Sequence, residues 1–141
     1  MKRKATAQWR GDLKTGKGSL STESGVLSES RYSFTTRFEN EKGTNPEELV
    51  AAAHAGCFTM ALSAELGKAN LTAESLRTTA TVTLEKGDSG FSVTESHLEL
   101  TGKVPGATPE AFLAAARSAE TNCPISKLLK AKITLDAKLE G

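Results

Sequence analysis

Sixteen consecutive residues, Leu49–Ala64, carry no charge in a chain whose charged residues make up 25%. The run is apolar almost all round a 3.6-residue period, which describes a helix covered on several sides. Asn45-Pro46-Glu47-Glu48 stands directly ahead of it. Asparagine caps a helix, proline suits the first helical position, and carboxylates in the first turn complement the helix dipole. Glu48, three residues after the asparagine, makes this a variant of the capping box. The helix is expected to end near Gly67–Asn70. At sixteen residues, with His54, Thr59 and Ser63 inside, the run is too short and too polar for a bilayer-spanning segment. One domain over residues 1–141 is expected around it.

The elements around this helix follow from alternation and turn chemistry. Ala5, Ala7 and Trp9 alternate with polar residues, Gly11–Gly18 is turn-like, and Ser19–Glu23 can pair back as a hairpin. Tyr32, Phe34, Thr36 and Phe38 share one face of a predicted strand that also carries Arg37. Leu76–Glu85 alternates as a half-buried strand, and Gly87-Asp88-Ser89-Gly90 turns the chain. In the return strand the apolar phase moves from Phe91 and Val93 to Leu98 and Leu100, which predicts a bulge. Thr108-Pro109-Glu110 starts a second helix with Phe112, Ala115, Ala116 and Ala119 as its stripe. Cys123-Pro124 restarts a short helix, and Ile133, Leu135, Ala137 and Leu139 point inward from a last strand. The order β-β-β-α-β-β-α-α-β is that of an α+β domain.

The net charge of +1 excludes a strong electrostatic draw on nucleic acid. The N-terminus has no apolar stretch of the signal-peptide kind, so the expected location is cytoplasmic. Two cysteines are too few for a disulfide scaffold, and in a reducing compartment such a pair points to redox or catalytic chemistry.

Cys57 lies inside the apolar helix, where a buried free cysteine would be unremarked were Gly56 not beside it. Cys123 occupies the expected N-cap before Pro124, a position that favours thiolate and that Ser, Thr, Asn or Asp would cap better. His54, three residues ahead of Cys57, is read as a histidine held by packing and one hydrogen bond. With only Cys57, Cys123, His54 and His97 available, and these scattered, no metal site is expected. Gly11–Gly18 nearly matches a phosphate-binding loop, but it ends in Gly18 rather than a hydroxyl residue and no helix follows. It is read as a hairpin turn.

These residues together resemble the OsmC/Ohr family of peroxide-reducing proteins, over essentially the whole chain. The likeness runs through Trp9-Arg10-Gly11-Asp12, Thr36-Arg37-Phe38-Glu39, Gly43-Thr44-Asn45-Pro46-Glu47-Glu48-Leu49, Ala52-Ala53-His54-Ala55-Gly56-Cys57-Phe58 and Asn122-Cys123-Pro124-Ile125-Ser126. Its most specific part is the Asn-Pro-Glu segment with a cysteine ten residues after the glutamate, joined to a later Cys-Pro-x-Ser. Gly56 is a departure, standing where alanine is familiar.

The resemblance implies antiparallel and mixed sheets packed around a long central helix, in an intertwined homodimer with active sites at the subunit interface. It implies a thiol peroxidase that prefers organic, lipid-type hydroperoxides to hydrogen peroxide and needs no cofactor or metal. Cys57 matches the peroxidatic cysteine and Cys123 the resolving one, with a Cys57–Cys123 disulfide as the oxidised form. Arg37 and Glu47 match the pair that activates the thiolate and orients the peroxide. The implied partners are an organic hydroperoxide, an external dithiol or lipoyl-type reductant and a second copy of the chain, with neither nucleic acid nor membrane. The competing expectation is a non-enzymatic, stress-induced protein that holds an apolar ligand, with Phe58 and Met60 lining its pocket in either case. Glu47 and Cys57 lie ten residues apart, about 15 Å on a straight helix. The helix is therefore expected to break or bend near Ala53–Gly56.

Overall fold

The computed structural model describes residues 1–141 and divides into two compact units, Met1–Leu49 and Val50–Gly141.

In the first unit β1 (Ala5–Arg10), β2 (Lys17–Thr22) and β3 (Ser30–Tyr32) form an antiparallel sheet in the order β1-β2-β3. The β1–β2 hairpin is the expected one, with Ala5 opposite Thr22 and Arg10 opposite Lys17. Asp12 builds its turn by accepting from the backbone N–H groups of Lys14 and Thr15 at 2.9 and 2.8 Å. Gly18 faces Trp9 on one side and Tyr32 on the other. A Cβ there would stand 2.4 Å from Tyr32 and 2.7 Å from Trp9, so the missing side chain is what lets the two rings meet at 5.5 Å.

The strand expected over residues 32–38 is instead β3 followed by a short helix, α1 (Phe34–Phe38). Ser33 and Thr36 make a reciprocal capping box: the Ser33 side chain accepts from the Thr36 N–H, and Thr36 Oγ1 from the Ser33 N–H. Phe34 and Phe38 fit a period of two, but they are also i and i+4, and on α1 their rings lie 4.9 Å apart.

The helix α2 (Pro46–Lys68) is 23 residues long and unbroken, so the expected break near Ala53–Gly56 is absent. Asn45 caps it by accepting from the Glu48 N–H at 2.8 Å. Glu48 bonds Thr44 rather than closing the box on Asn45. One glycine costs only about 1 kcal/mol in a helix interior, and the alanines around Gly56 are the best helix formers. The helix ends as expected near Asn70, whose φ of 57° turns the chain while the N–H of Leu71 bonds the carbonyl of Leu66. Burial on several sides does not occur within the chain. His54, Phe58, Leu62 and Leu66 are buried, whereas Ala52, Ala53, Gly56, Met60 and Ala64 are exposed. With mean hydropathy 1.4 over its apolar window, α2 is long and apolar enough to cross a membrane by length and composition alone, contrary to expectation. Core helices pass the same test, and the buried side of α2 is the core of the second unit.

In that unit β4 (Ser75–Gly87) and β5 (Gly90–Lys103) form a long antiparallel hairpin through Asp88-Ser89, with Gly90 at φ 110°. The expected bulge falls at Thr94: Thr83 faces Glu95, but Leu84 faces Val93. The helices α3 (Pro109–Asn122) and α4 (Pro124–Leu128) then lead to β6 (Lys132–Leu139), which lies parallel to β5. The Thr108 side chain caps α3 as expected. Phe58, Leu62 and Leu66 of α2, Leu98 and Leu100 of β5, Phe112, Ala116 and Ala119 of α3, and Leu135 of β6 make the core, with Cys123 among them.

Candidate active site

The second unit brings the two cysteines together. Both are free thiols, and the side chains of Cys57 and Cys123 are hydrogen-bonded to one another. Cys57 is partly exposed on α2, whereas Cys123 is wholly buried. Cys123 occupies the N-cap position of α4, but its side chain makes no capping bond. Its sulfur is turned toward Cys57 instead. Burial and the Cys123 thiol push the Cys57 thiol above its ordinary pKa, and the backbone N–H of Ile125 opposes them by hydrogen-bonding the sulfur. A cation beside the sulfur would favour the thiolate.

His54 lies one turn before Cys57 and is completely buried. Its Nδ1 is 2.6 Å from Ser96 Oγ on β5, and its Nε2 is 2.8 Å from Ser126 Oγ on α4. The ring therefore has two hydrogen bonds where one was expected, and it ties three elements together. A neutral imidazole supplies one donor and one acceptor, which two hydroxyls satisfy in full. Burial holds its pKa below the ordinary 6.5, against the opposing charge of Glu120. As pH falls below 6.5 the unfolded chain takes up this proton before the folded chain does, so stability declines with acidity in that window. The urea midpoint is expected to fall between pH 7 and pH 5, and His54→Asn should remove the part of that slope worth one proton. An identical slope in the variant would show that other groups produce it.

The first unit holds Arg37 and Glu47. Arg37 leaves the end of α1, and its Nε donates to both carboxylate oxygens of Glu47 at 3.2 and 3.1 Å, with Nη2 donating at 2.6 Å. This bond raises the guanidinium pKa further above its ordinary range. The pair occupies one edge of the fork and leaves Nη1 with no bond within the chain. Asn45 adds a link that residue spacing did not reveal: while capping α2, its Nδ2 donates to the Thr36 carbonyl of α1 at 3.3 Å. Glu41 accepts from Ser33 and Thr35 at the other end of α1 and pairs with Arg31 at 3.2 Å.

Beside Arg37 is a cavity of about 320 Å³ lined by Trp9, Leu13, Tyr32, Phe34, Phe38 and Pro46, with Ser33 and Arg37 at its polar end. The guanidinium carbon lies 5.3 Å from the centre of the Phe38 ring. The expectation that Phe58 and Met60 line the apolar pocket fails for Phe58, which is wholly buried in the core. Met60 is 79% exposed and borders a shallow groove with Gly56, Thr59 and Leu76. The aromatic lining was missed because it comes from β1, β3 and α1, and a strand reading of residues 32–38 keeps Phe34 and Phe38 apart from it. Glu47 and Cys57 stand ten residues apart on unbroken α2, which is about 15 Å of helix.

The architecture and the paired cysteines define a known class. The family model for OsmC-like protein matches residues 39–138, and the chain belongs to that family. Arg37 falls two residues ahead of the matched span, whereas Glu47, Cys57 and Cys123 fall inside it. The chain is 53% identical over 139 residues to the peroxiredoxin OsmC of Escherichia coli (strain K12), covering 99% of this chain and 97% of the relative. Among solved structures, an OsmC-like protein from Vibrio cholerae matches with a TM-score of 0.79 at 19% identity, over 97% of this chain and 99% of that one. The organic hydroperoxide resistance protein OhrB of Bacillus subtilis matches with a TM-score of 0.68 at 25% identity, over 97% and 98%.

Proposed function

We propose that this OsmC-like chain, a cysteine-based peroxidase, reduces organic hydroperoxides to alcohols in preference to hydrogen peroxide. The observation that carries this reading is the direct contact of the Cys57 and Cys123 thiols. The Cys57 thiolate attacks the distal peroxide oxygen and the O–O bond breaks. The cysteine becomes a sulfenic acid, and the alkoxide leaves and takes a proton to give the alcohol. Cys123 then attacks the sulfenic sulfur, forming the disulfide and releasing water. An external dithiol, of lipoyl or similar type, returns both thiols by exchange. No cofactor or metal enters this cycle, and a cytoplasmic location supplies such thiols.

Arg37 is the cation in this reading. Its open edge binds the peroxide oxygens and its charge favours the thiolate, while Glu47 holds the other edge of the fork. Because Glu47 is about 15 Å of helix from Cys57, the pair serves the cysteine of a second copy. The exposed apolar face of α2 and the fully exposed β1 support a homodimer. The aromatic cavity next to Arg37 takes the alkyl group, which gives the preference for organic substrates.

The test is peroxide consumption with a dithiol, comparing cumene hydroperoxide with hydrogen peroxide. A clear preference for the organic substrate is expected. Phe34→Ser should raise KM for cumene hydroperoxide at least about tenfold, the scale of one buried methylene, and leave hydrogen peroxide turnover nearly unchanged. Equal use of both substrates by the wild type would refute the alkyl pocket.

A further inference from the structure

The first turn of α4 docks on one turn of α2 through side chains at matching intervals. Cys57 is three residues after His54, and Ser126 is three residues after Cys123. Cys57 meets Cys123 and the N–H of Ile125, while His54 meets Ser126 at 2.8 Å. His54 in turn is held from the opposite side by Ser96 at 2.6 Å. His54 and Ser96 are wholly buried and Ser126 is 8% exposed, so no solvent competes strongly for these bonds. Pro124 removes one N–H from this turn, and Cys123 provides no capping bond of its own. The Ser126 hydroxyl is thus the one side-chain hydrogen bond joining α4 to α2 beside the thiols.

We propose that His54 is a positioning residue, which through Ser126 fixes α4 so that the Cys123 thiol stands ready to attack oxidised Cys57. The inference rests on the two-cysteine peroxidase reading and assigns the histidine to the resolving step. In that step Cys57–SOH and Cys123–SH lose water to form the S–S bond, and the sulfenic sulfur is reduced as the thiol is oxidised. Holding two groups in near-attack geometry gives a high effective concentration, and loosening one of them lowers it. A slower resolving step leaves the sulfenic acid open to a second peroxide, which takes it irreversibly to sulfinic acid.

Two measurements on the full chain test this. The first is the effective concentration of Cys123 toward Cys57 in a glutathione redox buffer, which needs no peroxide. Ser126→Ala is expected to lower it at least tenfold, and Ser126→Thr, which keeps the hydroxyl, to restore it to within threefold. Ser96→Ala leaves the same buried ring one bond short but does not touch α4, so its effective concentration should stay within threefold of wild type. The second is the sulfinic fraction of Cys57 per turnover under excess cumene hydroperoxide, expected to rise about tenfold in Ser126→Ala only. An unchanged effective concentration in Ser126→Ala, or an equal loss in Ser96→Ala, overturns the positioning role. If the wild type fails to consume hydroperoxide, the peroxidase reading falls, and the glutathione measurement still decides the role of His54.

Discussion

Cys57→Ser is expected to abolish hydroperoxide consumption, with a fall of at least about a thousandfold to the rate of the uncatalysed control. The hydroxyl that replaces the thiol is not ionised near neutral pH and forms no sulfenic acid, so both halves of the cycle are lost. Cys123→Ser should behave differently. Given one equivalent of peroxide and no dithiol, it carries one added oxygen on Cys57, because the sulfenic acid has no neighbouring thiol to condense with, and excess peroxide takes it on to sulfinic acid. Intact mass after one equivalent of oxidant separates the two: loss of two hydrogens in the wild type, gain of oxygen in Cys123→Ser, no change in Cys57→Ser. Turnover that survives in Cys57→Ser would sink the mechanism. The contact between the thiols makes the comparison clean, because each serine replaces a sulfur at nearly constant volume in the packed second unit.

Arg37→Ala should reduce peroxide turnover by about a hundredfold or more at pH 7, the usual effect of deleting a preorganised charge at a reacting oxygen. The pH profile should move upward at the same time. Burial and Cys123 already raise the Cys57 thiol, and without the guanidinium only the Ile125 N–H acts against them. Mixing Arg37→Ala with Cys57→Ser then reports which chain supplies the arginine. If it comes from the second copy, mixed dimers contain one site with both an intact cysteine and an intact arginine, and activity returns. If it comes from the same chain, every site lacks one of the two and the mixture stays inactive. The unbroken α2, with Glu47 and Cys57 separated by about 15 Å of helix, leads to the first outcome.

How far the site was legible differs from residue to residue. The Asn45 cap, the Thr108 cap and the bulge at Thr94 each follow from neighbours within a few positions, and each stands where the pattern put it. Alternation alone puts Arg37 on a strand, whereas it belongs to α1. The choice between strand and helix at residues 34–38 turned on Ser33 and Thr36, whose reciprocal bonds outweigh an alternation that fits both periods. Spacing marked His54 only as a neighbour of Cys57. Its partners Ser96 and Ser126 are 42 and 72 positions away, beyond any local pattern.

By itself, then, the sequence determined whatever is written in short-range chemistry: the hairpins, the limits of the long helix, one cysteine within that helix and another at the start of a short one. Backbone propensity, capping and turn geometry act over a few residues, so one chain read in order is enough for them. Only the tertiary structure decided that α2 continues unbroken through Gly56, that Cys123 turns its sulfur to Cys57 rather than capping α4, and that three strand and helix segments join around Arg37 as an aromatic cavity. These depend on packing among segments far apart in the chain, where burial and the satisfaction of hydrogen bonds select among conformations that local preference leaves nearly equal in energy.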